Sequence, residues 1–280
     1  MKIGVCAKIK NEQKTICDWV QYYLKMGFDK ITIYDDMSVP SVKETLNDND
    51  LLINGIVEVL LYKNSNTEQG QEVNYLEFCK NNKDLDWALL CDGDEFLYSK
   101  DNDIKEYLSN FSDDTCTILV NQLLFGTSKN KKYDESKTIF EQFTKREPYN
   151  HEASKFVKSL VRPKHINDIK TPHIAYNKKY KVVGVYNNEL NKRPINKSRG
   201  YLCEYKDENI SEETPLVIFH YMTLDFDSME KKRQRNEKAG HWSTEWVRIP
   251  TGIKYSVEWY NEVFSDSEED FTLKNFMNKN

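Results

Sequence analysis

Residues 87–97 read Trp-Ala-Leu-Leu-Cys-Asp-Gly-Asp-Glu-Phe-Leu, an apolar run that leads directly into three carboxylates. The run from Trp87 to Cys91 is short and continuous, which is typical of a strand buried on both faces of a parallel sheet. Open α/β sheets bind ligands at the carboxyl ends of such strands. We therefore expect Asp92 and Asp94 to meet a divalent metal ion and a diphosphate, since carboxylate oxygens suit Mg²⁺ or Mn²⁺.

The alternative interpretation of this Asp-Gly-Asp triplet is a solvated acidic turn or a helix N-cap. Such triplets arise readily in a chain with 45 Asp and Glu among 280 residues. The apolar residues on both sides, ending with Phe96 and Leu97, favour the metal or nucleotide site, because surface turns seldom have apolar runs on either side.

The first ninety residues predict the sheet on which such a site would lie. Apolar periodicity indicates alternating strands and helices in the order Lys2–Ile9, Glu12–Met26, Lys30–Tyr34, Val42–Leu46, Ile56–Tyr62 and Glu72–Asn81, followed by the strand at Trp87. This β-α-β-α-β-α-β order favours a parallel sheet with helices on both faces. The strand ends would then gather one polar edge: Asn11, Glu12, Asp35, Asp36, Asp92 and Asp94.

Several short blocks, in order along nearly the whole chain, resemble the GT-A glycosyltransferases of family 92 and their family-2-like relatives. The blocks are Lys10-Asn11-Glu12, Trp19-Val20, Tyr22-Tyr23, Met26 to Asp36 with Ser38, Gln69 with Asn74, Asp92 to Phe96, Lys158 to Pro163, His220-Tyr221, and Asp225 to Arg235. The resemblance implies one α/β domain over residues 1–280, with a GT-A (Rossmann-like), mostly parallel sheet flanked by helices. Residues up to about 126 would hold a nucleotide sugar, and a C-terminal lobe over about 127–280 would bind the acceptor.

The resemblance also implies an activity, namely transfer from a nucleotide sugar, with a UDP-sugar the first choice, to a glycan or other hydroxyl acceptor. The transfer is expected to be inverting and to need Mn²⁺ or Mg²⁺. The nucleotide site is expected to include Asn11, Glu12, Asp35, Asp36, Gln69, Asn74, Asp92, Lys158 and Arg162.

The metal would stabilise the leaving diphosphate as a Lewis acid. We expect Asp94 to contact it directly and Asp92 to contact the ribose or a metal-bound water. His220 follows the apolar strand Leu216–Phe219 and is a candidate third ligand; the alternative is a hydrogen-bonded histidine at a strand end. Lys158 and Arg162 would share one face of an extended segment and steady phosphate charge, or form an exposed basic strand edge.

An inverting transfer needs a general base beside the acceptor hydroxyl. The carboxylates in the half expected to bind the acceptor are Asp134, Glu135, Glu141, Glu147 and Glu152. We favour Glu141, because Phe140-Glu141-Gln142-Phe143 resembles a family segment with Glu before Phe.

Composition excludes some other classes. The formal charge of -5 argues against general nucleic-acid binding, which favours a basic surface. No apolar stretch approaches 18 residues, so we expect no transmembrane segment and a cytoplasmic protein. Two rival functions stay open: a nucleotidyltransferase, whose usual Gly-rich first loop is missing between Ala7 and Asn11, and a catalytically silent sugar-binding or scaffolding module on the same fold.

Overall fold

The computed structural model describes residues 1–62, 70–101, 103–149, 151, 154, 156–169, 171–189, 210–229, 231 and 267–279. The strands are β1 Ile3–Ile9, β2 Lys30–Asp35, β3 Val57–Leu61, β4 Trp87–Asp92, β5 Glu95–Ser99, β6 Thr115–Leu124, β7 Lys145–Arg146, β8 Val157–Val161, β9 Lys181–Gly184, β10 Leu216–His220 and β11 Glu268–Glu269. The α-helices are α1 Ile16–Lys25, α2 Val42–Asn47, α3 Glu72–Asn81, α4 Ile104–Ser109, α5 Ile139–Gln142 and α6 Thr272–Asn278, and a 3-10 helix covers Pro163–His165.

Nine of the strands in the described part of the chain form one sheet, in the order β3-β2-β1-β4-β8-β6-β10-β5 with β9 also pairing β6. β8 runs antiparallel to β4 and β6, and β5 runs antiparallel to β10. The other pairs of this sheet are parallel: β1 with β2, β1 with β4, β2 with β3, β6 with β9, and β6 with β10. β4, β6 and β10 therefore all end at the same edge of the sheet, and both antiparallel strands begin there.

The predicted α/β fold is confirmed, and the alternation of strands and helices up to β4 is the one that the sequence predicts. The five residues from Trp87 to Cys91 are all buried, because helices or loops cover both faces of β4. Helix α1 turns Trp19 and Tyr23 into the core, where Trp19 Nε1 and the Tyr23 hydroxyl each donate a hydrogen bond to the carbonyl of Glu95, at 3.1 and 3.0 Å. These bonds hold α1 against the start of β5.

Strands from both sides of residue 126 share this sheet, since β8, β9 and β10 lie among strands of the first half. Strands from the two predicted halves of the chain are thus interleaved in one sheet, and the division near residue 126 stays a prediction. Within the described residues, no helix has the length and apolar character that crossing a membrane requires.

Candidate active site

The turn between β4 and β5 brings three carboxylates to the edge where the parallel strands end. The backbone N–H of Asp92 donates to Glu95 Oε2 at 2.9 Å, which closes the turn. A Cβ atom at Gly93 would lie 2.1 Å from Ile9 Cδ1 and 2.4 Å from Glu12 Oε2. Because these distances are far below van der Waals contact, glycine lets the side chain of Glu12 lie against the turn.

A buried cation neutralises two of these carboxylates. Lys158 Nζ, on β8, lies 2.6 Å from Asp92 Oδ2 and 3.3 Å from Glu95 Oε2, and its side chain is 1% exposed. Burial opposes the ammonium charge, but Asp92 and Glu95 outweigh burial and raise the pKa of Lys158. Lys158 is therefore charged at neutral pH and lies buried within the carboxylate cluster, not on an exposed strand edge, and its expected phosphate contact stays a prediction.

The second oxygen of Asp92 also has a partner. Gln71 Nε2, at the start of α3, donates to Asp92 Oδ1 at 2.5 Å and contacts the Tyr75 hydroxyl. That hydroxyl donates to the carbonyl of Cys91. Burial works against ionisation, yet Lys158 and Gln71 together lower the pKa of Asp92. Both oxygens of Asp92 thus accept from nitrogen donors, and its expected contact with the ribose or a metal-bound water stays a prediction.

Asp94 and His220 fit a metal ion better. Asp94 Oδ1 lies 3.4 Å from His220 Nε2, and both side chains are largely buried, at 9% and 13% exposed. His220 Nδ1 lies 2.7 Å from Gln122 Oε1 and donates to it, because that oxygen only accepts, and Nε2 faces Asp94. A carboxylate and an imidazole are both ligand types that suit Mn²⁺.

This pair is smaller than a complete metal site. No group of three or more His, Cys, Asp and Glu in the described residues has an arrangement that could hold a metal ion. Further ligands would have to come from a bound diphosphate and water, as is usual for Mg²⁺ at phosphate sites.

The ends of β1 and β2 form a second polar group on the same edge. Asn11 has a positive φ of 55° and its Oδ1 accepts from the backbone of Val39 at 3.0 Å. Asp36 lies 3.0 Å from Lys8 Nζ and 3.3 Å from Lys10 Nζ. Its buried Oδ1 has no hydrogen-bond donor among the residues that the structure describes.

Asp35 does not offer a free carboxylate to a nucleotide. Its Oδ1 accepts from the backbone of Ser38 and its Oδ2 from the backbone of Val42, both at 2.9 Å, and the residue is 5% exposed. The carboxylate fastens the loop after β2 to the first turn of α2. We correct the expected nucleotide contact accordingly.

Arg162 lies at the other end of β8 from Lys158. Its guanidinium donates to the carbonyls of Thr115 at 3.1 Å and Phe111 at 2.9 Å and stacks on the Trp87 ring at 4.2 Å. Trp87 begins β4, so these contacts are at the amino end of the strand that Asp92 ends. The expected phosphate contact of Arg162 is therefore corrected to a structural one.

Glu141 is occupied in a helix cap. Its Oε2 accepts from the backbone of Thr138 at 2.9 Å and from the Thr138 hydroxyl at 3.1 Å, which forms a capping box at the start of α5. These bonds lower the pKa of Glu141, as is usual for a carboxylate that accepts backbone donors. The structure brings it to none of Asp92, Asp94 and His220.

Two other predicted nucleotide residues remain. Asn74 is buried on α3, one turn beyond Gln71. Gln69 lies outside the described residues.

Sequence reasoning missed residues of this site that lie far apart along the chain. They are Gln71, Gln122 and His173. Gln122 could have been found as a polar residue in the buried strand β6, where it is level with Ile218, two residues before His220 on β10. The others carry no periodic signal in the sequence.

A cavity of about 330 Å³ opens beside Asp94. It is lined by residues 10–15, Asp94, residues 222–224, Ser228 and Lys231. Three lysines, Lys10, Lys14 and Lys231, are among these residues.

Comparison with known proteins agrees with the resemblance in the sequence. The family description that matches the chain, over residues 2–251, is glycosyltransferase family 92. The chain belongs to this family. No curated protein matches it significantly.

Solved structures with some similarity to this family 92 chain include those of S. aureus TarS in complex with UDP, of HddC from Yersinia pseudotuberculosis and of the S. cerevisiae mannosyltransferase Ktr4p in complex with GDP. TarS shares 15% identity at a TM-score of 0.37 over 58% of this chain and 47% of its own. HddC has 10% sequence identity and a TM-score of 0.39, and the match covers 66% of this chain and 90% of HddC. Ktr4p has 11% sequence identity and a TM-score of 0.28, and the match covers 48% of this chain and 43% of the Ktr4p chain. The chain spans about half the length of the TarS fragment.

Proposed function

We propose that this family 92 protein transfers a sugar from a nucleoside diphosphate sugar, with a UDP-sugar as the first choice, to a hydroxyl of a glycan or glycoconjugate, with inversion and with Mn²⁺ or Mg²⁺. The observation that carries the proposal is the cavity lined by three lysines and by Asp94, whose carboxylate lies 3.4 Å from the imidazole of His220.

The cavity suits a polyanion because its cations are only partly compensated. Lys10 is 43% exposed and pairs with Asp36 at 3.3 Å. Lys14 lies 3.6 Å from Asp225 and 3.1 Å from the Ser228 hydroxyl. A diphosphate has more charge and more acceptor oxygens than one carboxylate, and lysine ammonium groups bind phosphates as point charges.

Asp94 and His220 would hold the metal, which would neutralise charge on the leaving diphosphate. Lys158 has a separate role in this proposal, since it fixes Asp92 and Glu95 and thereby sets the position of the turn that carries Asp94. The nucleoside would contact Asp36, whose Oδ1 has no hydrogen-bond donor among the described residues. It would also contact Asn11 and Glu12 at the end of the neighbouring strand.

Inversion by a single displacement at the sugar carbon is supported by the pairing of Asp92 and Glu95 with Lys158. A double displacement needs a carboxylate nucleophile beside the sugar carbon. Asp92 and Glu95 are both paired with Lys158, and Glu95 is fully buried. Direct attack by the acceptor hydroxyl therefore fits the cluster better than a covalent intermediate.

The test is titration calorimetry of UDP, GDP and ADP with Mn²⁺ and with a chelator. We expect one nucleoside diphosphate to bind in the micromolar range with Mn²⁺ and at least tenfold more weakly without it. Lys14→Ala should weaken binding several-fold. The matched control is Lys2→Ala, because Lys2 is an exposed lysine at the opposite edge of the sheet, paired with Asp84 at 3.5 Å.

Donor turnover then separates the rival functions. Release of nucleoside diphosphate from a nucleotide sugar supports the transferase. Release of pyrophosphate from a nucleoside triphosphate with a sugar phosphate would support a nucleotidyltransferase, and binding without any release would support a silent module. Equal affinity with and without metal would contradict the metal assignment.

A further inference from the structure

Two oxygen atoms lie near Nδ1 of the His220 imidazole. Gln122 Oε1 lies 2.7 Å from Nδ1, and Glu95 Oε1 lies 3.6 Å from it. Hydrogen bonds between nitrogen and oxygen have heavy-atom distances of about 2.7–3.2 Å, so the acceptor is Gln122 and not Glu95. Nε2 of the same ring faces Asp94 at 3.4 Å. A neutral amide therefore holds one nitrogen of the ring, and a carboxylate faces the other.

The pairing of β6 with β10 places Gln122 beside the ring. Leu124 on β6 is level with His220 on the parallel strand β10, so their side chains lie on the same face of the sheet. Gln122 is two residues before Leu124 and shares that face. It is 3% exposed, and its backbone N–H donates to the carbonyl of Phe156 at 3.0 Å. Two buried strands thus fix the backbone from which the amide reaches the imidazole.

Glu95 belongs to the turn between β4 and β5. Its Oε2 accepts from the backbone N–H of Asp92 at 2.9 Å and lies 3.3 Å from Lys158 Nζ. Its Oε1 is buried and has no hydrogen-bond donor in the described part of the chain. Glu95 is therefore a nearby charge for His220, while the hydrogen bond with Nδ1 is made by Gln122.

Gln122 also decides which ring nitrogen carries the proton. The amide oxygen only accepts, so an unprotonated Nδ1 would set two lone pairs against each other at 2.7 Å. Nδ1 therefore keeps its proton, and in the neutral ring the lone pair is on Nε2, the nitrogen that faces Asp94. Histidines that ligate metals almost always donate their other N–H to an oxygen in this way.

We infer that Gln122 is a positioning residue for the metal ligand His220. By accepting from Nδ1–H, it keeps the proton on Nδ1 and keeps Nε2 directed towards Asp94, where the two side chains would share a divalent cation. The inference rests on the metal site in the proposed function, and Gln122 itself would contact His220 and not the cation.

The experiment compares the wild type with Gln122→Met, which has a side chain of similar length without the accepting oxygen. Nitrogen NMR of the metal-free protein, with the His220 signals assigned through His220→Ala, reports which nitrogen of the neutral ring carries the proton. We expect Nδ1–H in the wild type and a shift towards Nε2–H in Gln122→Met, because Asp94 is then the nearer of the two carboxylate acceptors. The Mn²⁺ dissociation constant in the presence of UDP should rise at least tenfold, since losing such a partner typically costs about 10–100-fold in metal affinity.

Asn121→Leu is the matched control, because Asn121 is the preceding residue of β6 and is similarly buried, but faces the other side of the sheet. Its side-chain amide donates to the carbonyl of Ser154 at 2.9 Å, so the variant also loses one buried hydrogen bond. The His220 tautomer and the Mn²⁺ dissociation constant should match those of the wild type. Gln122→Leu serves as the second variant if Gln122→Met does not fold, with the same expected changes.

The inference is overturned if the neutral wild-type ring carries its proton on Nε2, if the Gln122 variants keep the wild-type tautomer or the wild-type Mn²⁺ affinity, or if Asn121→Leu weakens Mn²⁺ binding equally. A wild-type protein that binds Mn²⁺ no more tightly than His220→Ala would refute the metal site in the proposed function. The tautomer, which is measured without metal, would then still decide whether Gln122 holds the ring.

Discussion

The two ends of β8 carry buried cations in contrasting surroundings. Lys158, at the first end, pairs with the carboxylates of Asp92 and Glu95. Arg162, at the other end, donates to backbone carbonyls and stacks on an indole. The two residues are four positions apart, Lys158 within β8 and Arg162 directly after it, and they look equivalent in the sequence.

The difference follows from the direction of the strands. β8 is antiparallel to β4, so its first residues meet the carboxyl end of β4 and its last residues meet the amino end. Ligands bind at the carboxyl ends of strands in open α/β sheets. One buried cation therefore belongs to the candidate site, and the other holds the sheet to the segment before β6.

The largest expected loss of turnover comes from a substitution in the carboxylate turn beside Lys158. Asp94→Asn should cut nucleoside diphosphate release by on the order of 10²–10³, which corresponds to roughly 3–4 kcal/mol in the barrier. The change is nearly isosteric but removes the charge that would hold the metal with His220. Asp84→Asn, an exposed carboxylate at the opposite edge of the sheet, is the control and should keep full turnover. If both variants have the same rate and both keep the circular dichroism of the wild type, Asp94 is not part of the site.

Lys158→Met should affect both turnover and stability. It leaves Glu95 buried without its cation and frees Asp92 to move, so we expect a loss of turnover of roughly 10². Removing one partner of a buried ion pair costs about 3 kcal/mol of unfolding free energy. Urea unfolding and donor turnover, measured on the same preparation, check the two effects. Unchanged turnover in the folded protein would mean that Lys158 only fills space.

Arg162→Met should instead affect stability alone. The carbonyls of Phe111 and Thr115 lose their donor, and Trp87 loses its stacked cation, which together cost about 2–3 kcal/mol. Turnover per folded molecule should stay within about twofold of the wild type. The measurement is again urea unfolding beside donor turnover. A variant with normal stability and a large loss of turnover would reverse the comparison between the two ends of β8.

The sequence predicts the sheet and its polar edge well, because buried strands and amphipathic helices have periodic patterns. It brings Asp94 and His220 together only with the help of the family resemblance, because the position of a histidine at a strand end does not by itself indicate a ligand. It could not show that Lys158 holds Asp92, since this pairing depends on the antiparallel insertion of β8 between β4 and β6. It also could not separate Lys158 from Arg162, nor the capping role of Glu141 from a catalytic one, because both depend on contacts between distant segments.

The smallest expected effect is a pH dependence of the unfolding free energy, which arises from His173 near the charge of Lys158. Burial and the charge of Lys158 lower the pKa of His173 from 6.5 to about 4. Between these values the unfolded chain binds a proton that the folded protein does not, so stability is full above pH 6.5 and falls as the pH drops towards 4. For a ring that keeps some exposure we expect a loss of about 1–2 kcal/mol, and His173→Gln should remove this slope in unfolding curves from pH 4 to 7. Ring-proton NMR should show a higher pKa for His173 in Lys158→Met and an unchanged one in Arg162→Met. Equal shifts in both variants would mean that the imidazole responds to general loosening of β8 and not to the Lys158 charge.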